Sequence, residues 1–385
     1  LNRCSDTLVK RLPAQCDARN QRNLLGTDGE KRAVGASVLL ALGTNETVAA
    51  VGSGARLAGA NIEVTADNQQ QQILAGASGG SGGEFAANGA FSVFSFSNET
   101  HALIHDQTVI NSSGQLGLAV SATDGSQVVS VSGGIAKSEK VGVGASLALN
   151  QLTRDTVAAV GFRAPENPAA ASIRNASIHT QRISVNAQNA GYVTSAAAAG
   201  AIVYESPLPA DDGGASVAAV PSEKGFFDGF TAALAASVNL VDDGSEAFLE
   251  HLDLQLPNAG NSANPDNVLI DAINTSEFFS FAVGASFAKG DFNGLRLAGA
   301  AAVNLVEKEI KASVRDSVVT SFLGGTGTTG FSVKALDDSL LVAAAGSLAL
   351  SVTSDNGTPD EPVKSSRTSG SVGVSVAVNQ HTGDG

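Results

Sequence analysis

The residues of this chain that could do chemistry are few: five histidines, three Asp-Asp pairs, two cysteines and one glycine-rich string. His101 and His105 stand four apart on an expected strand, with Asp106 beside them. They offer two nitrogen ligands where zinc needs at least three protein ligands, so they are read as surface histidines. The pairs Asp211-Asp212, Asp242-Asp243 and Asp337-Asp338 are poor hydrolase candidates. Glycosidase carboxylates must flank a bond across a cleft, whereas neighbours on a strand face opposite ways. Gly325, Gly327 and Gly330 have the spacing of a dinucleotide fingerprint. The strand-like Phe331–Ala335 follows them instead of the helix such a loop requires, so the string is a turn. Calcium would suit an acidic extracellular chain, but neither a Gly-Gly-x-Gly-x-Asp nonapeptide array nor an EF-hand loop occurs. The expectation is therefore no catalytic residue, no cofactor and no dedicated metal site, with weak calcium binding by scattered loop carboxylates left open.

Cys4 and Cys16 lack the paired spacing of a zinc site. A disulfide closing a short loop and two free thiols both remain open. Asn-x-Ser/Thr strings occur at Asn45, Asn98, Asn111, Asn175, Asn274 and Asn356, about as often as chance would place them. They are candidate glycan sites. Asn45 and Asn98 hold equivalent places in successive repeats, which predicts a glycan row along one edge.

Composition narrows the partners. Charged residues make up 16% of 385 residues, against about 25% in an average chain. The net charge of -14 speaks against nucleic acid, whose phosphates need a Lys/Arg surplus. No apolar run reaches the length of a spanning helix, which needs about 20 residues. Without Trp, and with only 2 Tyr, the aromatic girdles of a membrane barrel cannot be built. With no Met, Leu1 is expected to be a processed or fragment end.

The elements that must position these residues announce themselves as a repeat. VGASVLLAL from Val34, NGAFSVFSF from Asn88, VGASLALN from Val143, AALAASVN from Ala232, AGAAAVN from Ala298 and VGVSVAVN from Val372 are versions of one string. Anchored on the first small residue, the units start near Gly35, Gly89, Gly144, Ala233, Ala298 and Gly373. A polar tetrad (TNET, SNET, TRDT) is read as a turn before a second string. A third string follows, as in Ile62–Ala66, Leu118–Ala122, Ile183–Ala187 and Phe331–Ala335, and then a fourth. The strings alternate with period two, which means strands. Val143, Ala145, Leu147 and Leu149 are expected to point one way. Gly, Ala and Ser fill the other, outward face, against which a second layer or chain must pack closely. Units of four strands that bury a core only when stacked predict an elongated all-β solenoid of about five degenerate units. An antiparallel sandwich of hairpins is the alternative.

Domain boundaries follow. Residues 1–32 hold seven Lys/Arg against four Asp/Glu and form a basic N-terminal cap, with Leu8, Val9, Leu12, Leu24 and Leu25 suited to a short amphipathic helix. Residues 33–385 form the repetitive array. Proline clusters mark insertions at about 162–172, 204–230 and 256–268, and a linker-like stretch at 354–368. The last string, Val372–Asn379, lacks its three partner strings. It is expected either to belong to a fragment of a longer array or to complete a neighbour's sheet, with Val372, Val374, Val376 and Val378 as the assembly residues.

The order VGASLALN…TVAAVG…ISVNAQN resembles the repeats of large secreted bacterial exoproteins: leukotoxin-like and filamentous-haemagglutinin-like adhesins and autotransporter passengers. The resemblance implies a non-catalytic structural or adhesive protein at the cell surface, a protomer or segment of a fibre. Its partners would be copies of itself, by head-to-tail contact or strand addition, and glycans of a host cell or matrix. A carbohydrate-binding or carbohydrate-active β-helix acting through its insertions, and a leukotoxin-like cytotoxin, are the competing expectations.

Overall fold

The computed structural model describes residues 14–15, 19–162, 175–204, 229–257, 266–290, 294–321, 330–352 and 369–384. Cys4, Cys16, Asn356, Asp211-Asp212, Gly325, Gly327 and nearly all of the expected insertions and linker lie outside the described residues.

The chain is a parallel β-solenoid of four sheets, with no helix among the described residues. Each turn begins on a wide strand. The six wide strands are Arg32–Val51, Phe85–His105, Val141–Phe162, Phe230–Glu250, Leu295–Arg315 and Gly370–Asp384. A short bridge strand follows, Arg56–Gly59 in the first coil, then a body strand, Ile62–Gln69, and a blade strand, Gln71–Gly82. Each repeats in register in later coils, so Asn150 stands opposite Asn239 and Ala145 opposite Leu234. Arg19–Gly29 is a further blade strand paired with Gln71–Gly82. The stack therefore begins ahead of residue 33, and Leu24 and Leu25 lie on a strand where a helix was expected.

The coil is broad. A 20-residue wide strand spans about 65 Å of extended chain, while six stacked strands rise only about 29 Å along the axis. Body and blade strands follow one another end to end and together cover the inner face of the wide sheet.

Three local expectations are corrected. The tetrads TNET, SNET and TRDT are not turns, because Thr44–Thr47 pairs residue for residue with Ser97–Thr100 inside continuous wide strands. They contain no Gly or Pro to break a strand, and their residues keep the period-two alternation: Asn98 is buried and Glu99 exposed. The fourth strand of each unit is instead the bridge strand. The second unit is anchored one residue early, at Asn88, which aligns with Gly35 and Gly144. Gly89 faces outward.

The third correction concerns facing. Toward the blade end of the wide sheet the small residues point inward and the branched ones outward. Gly144, Ser146, Ala148 and Asn150 are buried, and Val143, Ala145, Leu147 and Leu149 alternate with them on the outer surface. The close second layer expected against the small residues exists, and it is the blade sheet of the same coils. A Cβ on Gly144 would stand 2.1 Å from the Gly200 carbonyl oxygen, and one on Gly284 2.3 Å from that of Gly299. Backbones this close leave no room for a side chain at these two positions, and the alanines and serines around them are the next smallest residues.

Two interiors result. The body half has a conventional core of Val64, Ile104, Ile110, Leu118, Ile178, Leu254 and Ile270. The blade half holds two clusters: an alanine cluster with Ala148, Ala197, Ala233, Ala282 and Ala302 among its members, and, nearer the body half, a cluster of larger residues with Leu74, Phe94, Leu152, Val193 and Phe278.

Candidate functional site

Polar side chains run along the solenoid axis in two internal rows. Asn150 donates to Asn239 Oδ1 at 2.9 Å, Asn239 to Asn304 at 2.8 Å and Asn304 to Asn379 at 2.8 Å. Each amide also reaches across to a blade carbonyl, as Asn239 does to Phe279 at 2.7 Å. Each rung thus ties one coil to the next and both layers together. The second row marks the boundary between the two interiors: Asn45, Asn98, Arg154, Asp243 and Lys308 on the wide strands face Asn68, Asp124, Asn189, Asn274 and Asp337 on the body strands. Arg154 grips Asp243 with Nε and Nη2, both at 2.5 Å, and adds the Ala190 carbonyl at 2.7 Å. Burial alone would lower the Arg154 pKa. The Asp243 charge and hydrogen bonds, and the Asp124 charge, outweigh it and raise the guanidinium above the ordinary arginine range. Lys308 Nζ donates to Asp337 at 3.0 Å and also to Ser339.

The outer face of the wide sheet is divided at the same boundary. A shallow groove of about 310 Å³ crosses it, lined among others by Gln151, Thr153, Asp242, Glu307 and Thr382. Asp242 and Glu307 are register neighbours on adjacent strands, and beside them run Glu46, Glu99 and Asp155. Burial first, then Glu307, Asp243 and Asp155, push the Asp242 carboxyl above the ordinary carboxylate range. Chemically this strip can attract cations and hold a proton. No group of three or more His, Cys, Asp or Glu placed to hold a metal occurs among the described residues. On the blade side of the groove the wide sheet is apolar, with Val34, Val38, Leu40 and Leu42 each at least half exposed.

The expected site residues fall as follows. Val372, Val374, Val376 and Val378 lie on the sixth wide strand, half exposed on this apolar face. That strand is hydrogen-bonded to Leu295–Arg315 of its own chain, so it is already placed in its own sheet and only its far edge is open. Asn98 and Asn274 are fully buried, and Asn45 donates to Gln70 at 2.8 Å and to Asn98 at 3.0 Å. The equivalence of Asn45 and Asn98 is real, but it is a ladder inside the coil, and a glycan row there has no room. Asn111 and Asn175 are exposed. His101 faces Asp155 of the next coil at 3.1 Å. Four residues along a strand separate His101 from His105 by about 13 Å, too far to share one metal. Asp242 and Asp243 face opposite ways, as adjacent strand residues must.

Ser78 was overlooked. It is the centre of a Gly76-x-Ser-x-Gly80 string with nucleophile-elbow spacing. It sits buried mid-strand, its one hydroxyl proton within reach of the Gly35 carbonyl at 3.2 Å and Asn88 Oδ1 at 3.3 Å, with no strand-to-helix turn to present it. The buried charge row was also overlooked. Its signal was legible: Asn, Arg, Asp and Lys at one repeat position of otherwise apolar strands.

No family model matches the chain, and neither a curated protein nor a solved structure matches it. Fold and face define its class by themselves: a broad parallel β-solenoid whose cross-section is amphipathic.

Proposed function

We propose that this chain is a non-catalytic structural or adhesive segment of an extracellular fibre or large surface adhesin, extended by stacking coil upon coil. One observation carries the reading. The wide sheet runs in register through six strands, and its first and last strands each have one edge unpaired among the described residues. An open parallel edge is a template for another strand. The internal ladder is equally extendable, because Asn379 is the last rung and a further amide would continue it. The resemblance to exoprotein repeats agrees with this use.

Negative-stain electron microscopy over a range of concentrations tests it. Filaments are expected to grow with concentration and to advance about 29 Å per chain, the rise of six strands. Ala377 points toward the interior position that an added coil would cover, so Ala377→Lys should leave short particles. Dispersed single particles of wild-type protein at every concentration would refute end-to-end stacking.

A further inference from the structure

The blade half of the wide sheet presents an outer face that no part of the described chain covers. Five outward positions per strand over six strands contain no charged residue. In the first coil they are Val34, Ala36, Val38, Leu40 and Leu42. One ladder, Leu40–Val93–Leu149–Val238–Val303–Val378, is branched and aliphatic throughout. The row four residues away, Ala36–Gly89–Ala145–Leu234–Gly299–Val374, is small in four of its six places. The face thus carries a ridge and a shallower row running across the strands, about 13 Å apart along them.

We infer that this face docks on the same face of a second copy of this chain, sheet against sheet. The area fits. Six strands at about 4.8 Å and nine residues at about 3.3 Å give roughly 850 Å² per copy, and a stable interface buries about 800 Å² per partner. It is also well above the apolar patch of a few hundred Å² that a monomer exposes. A second copy offers ridges at the same pitch, so large rows seat between large rows as in aligned sheet packing. The border sets the extent of the contact. Glu46, Glu99, Asp155, Asp242 and Glu307 line the body side of the face, and two such rows brought together would repel. Lipid is the other apolar partner of such a face. The open backbone edges of the first and last wide strands argue against it, since unpaired sheet edges are not tolerated in hydrocarbon. The blade sheet's outer face is less suited, because it carries Lys137 and Lys289.

This contact is lateral, and it is independent of end-to-end stacking. The test is therefore run on Ala377→Lys protein, or on wild type if that dispersal fails. Sedimentation velocity is expected to show a concentration-dependent pair. Leu40→Glu with Leu234→Glu should weaken pairing at least about a hundredfold, because two charges are driven into an apolar contact. Both residues project outward and are more than half exposed, so the fold should persist. Circular dichroism and the melting temperature check that it does. Leu40→Lys with Leu234→Lys should act alike, and an equimolar mixture of the two variants should regain pairing. Monomers at all concentrations, or Glu and Lys variants that pair like the parent, would overturn the inference. So would protein that stays unpaired but floats with phosphatidylcholine vesicles and loses this on Glu substitution, which would make lipid the occupant.

Discussion

Arg154 and Asp243 show what a polar residue costs and secures inside a repeat. Both are fully buried, and each is the other's main counter-charge. Removing one partner strands the other, so Asp243→Ala is expected to destabilise the protein by about 3–5 kcal/mol. Replacing both by Met and Leu should cost much less. Urea unfolding at neutral pH measures both. Asp242, its neighbour in sequence, faces the groove and behaves in the opposite sense. Its raised pKa means the folded state favours the protonated carboxyl. Between the ordinary carboxylate range and the raised value, the native state holds more protons than the unfolded chain. Stability from this group is thus fully present below the ordinary range and is lost as pH rises through the folded pKa. Asp242→Asn should therefore melt above wild type at pH 7, with the gap closing in acid. Equal melting at pH 7 would mean that solvent screens the groove.

Among the elements, the wide strand is the unusual one. It serves two interiors with one unbroken hydrogen-bond ladder, and its inward residues are small only toward its blade end: in the third wide strand Gly144, Ser146 and Ala148 give way to Leu152 before the polar row is reached at Arg154. Gly144 tests the close half. Its missing Cβ leaves the Gly200 carbonyl room, so Gly144→Ala is expected to destabilise by about 1–3 kcal/mol through overpacking. Its neighbour Ala145 faces outward, and Ala145→Val should change stability by less than about 0.5 kcal/mol. Thermal or urea unfolding of the two variants would show the reverse order if the facing were the one expected from hydrophobicity alone. The polar row has a second consequence at this scale. Nearly identical coils could pair one coil out of register, and the sequence Asn98, Arg154, Asp243, Lys308 along the stack permits opposite charges to meet only in the native order.

At the scale of the whole molecule, the coil's cross-section is amphipathic. The body half keeps a branched apolar core and puts Glu and Asp outside; the blade half packs alanine and serine inside toward its far end, with a Leu, Val and Phe cluster next to the body half, and puts valine and leucine outside. Two directions of assembly are proposed, along the axis through open edges and across it through the apolar face. They separate experimentally. Ala377→Lys should stop growth in length and leave lateral pairs, whereas charges at Leu40 and Leu234 should leave single-width filaments.

The sequence by itself determined that the chain is built of period-two strands in about five stacked units, because alternation and repetition are local and survive in the bare string of residues. It also placed Asp242 and Asp243 on opposite faces for the same reason. It did not determine which face of each strand is inside. Hydrophobicity predicts that valine is buried and glycine exposed, and in the blade half the distance between sheets decides instead. Whether a polar tetrad such as TNET bends the chain or continues it was equally hidden, since its residues tolerate both and only pairing with SNET in the next coil selects the strand. Asn45 and Asn98 looked like surface sequons for the same reason. Their amides are matched by partners 25 and 53 residues away from Asn45, and contacts that distant exist only once the coils have stacked.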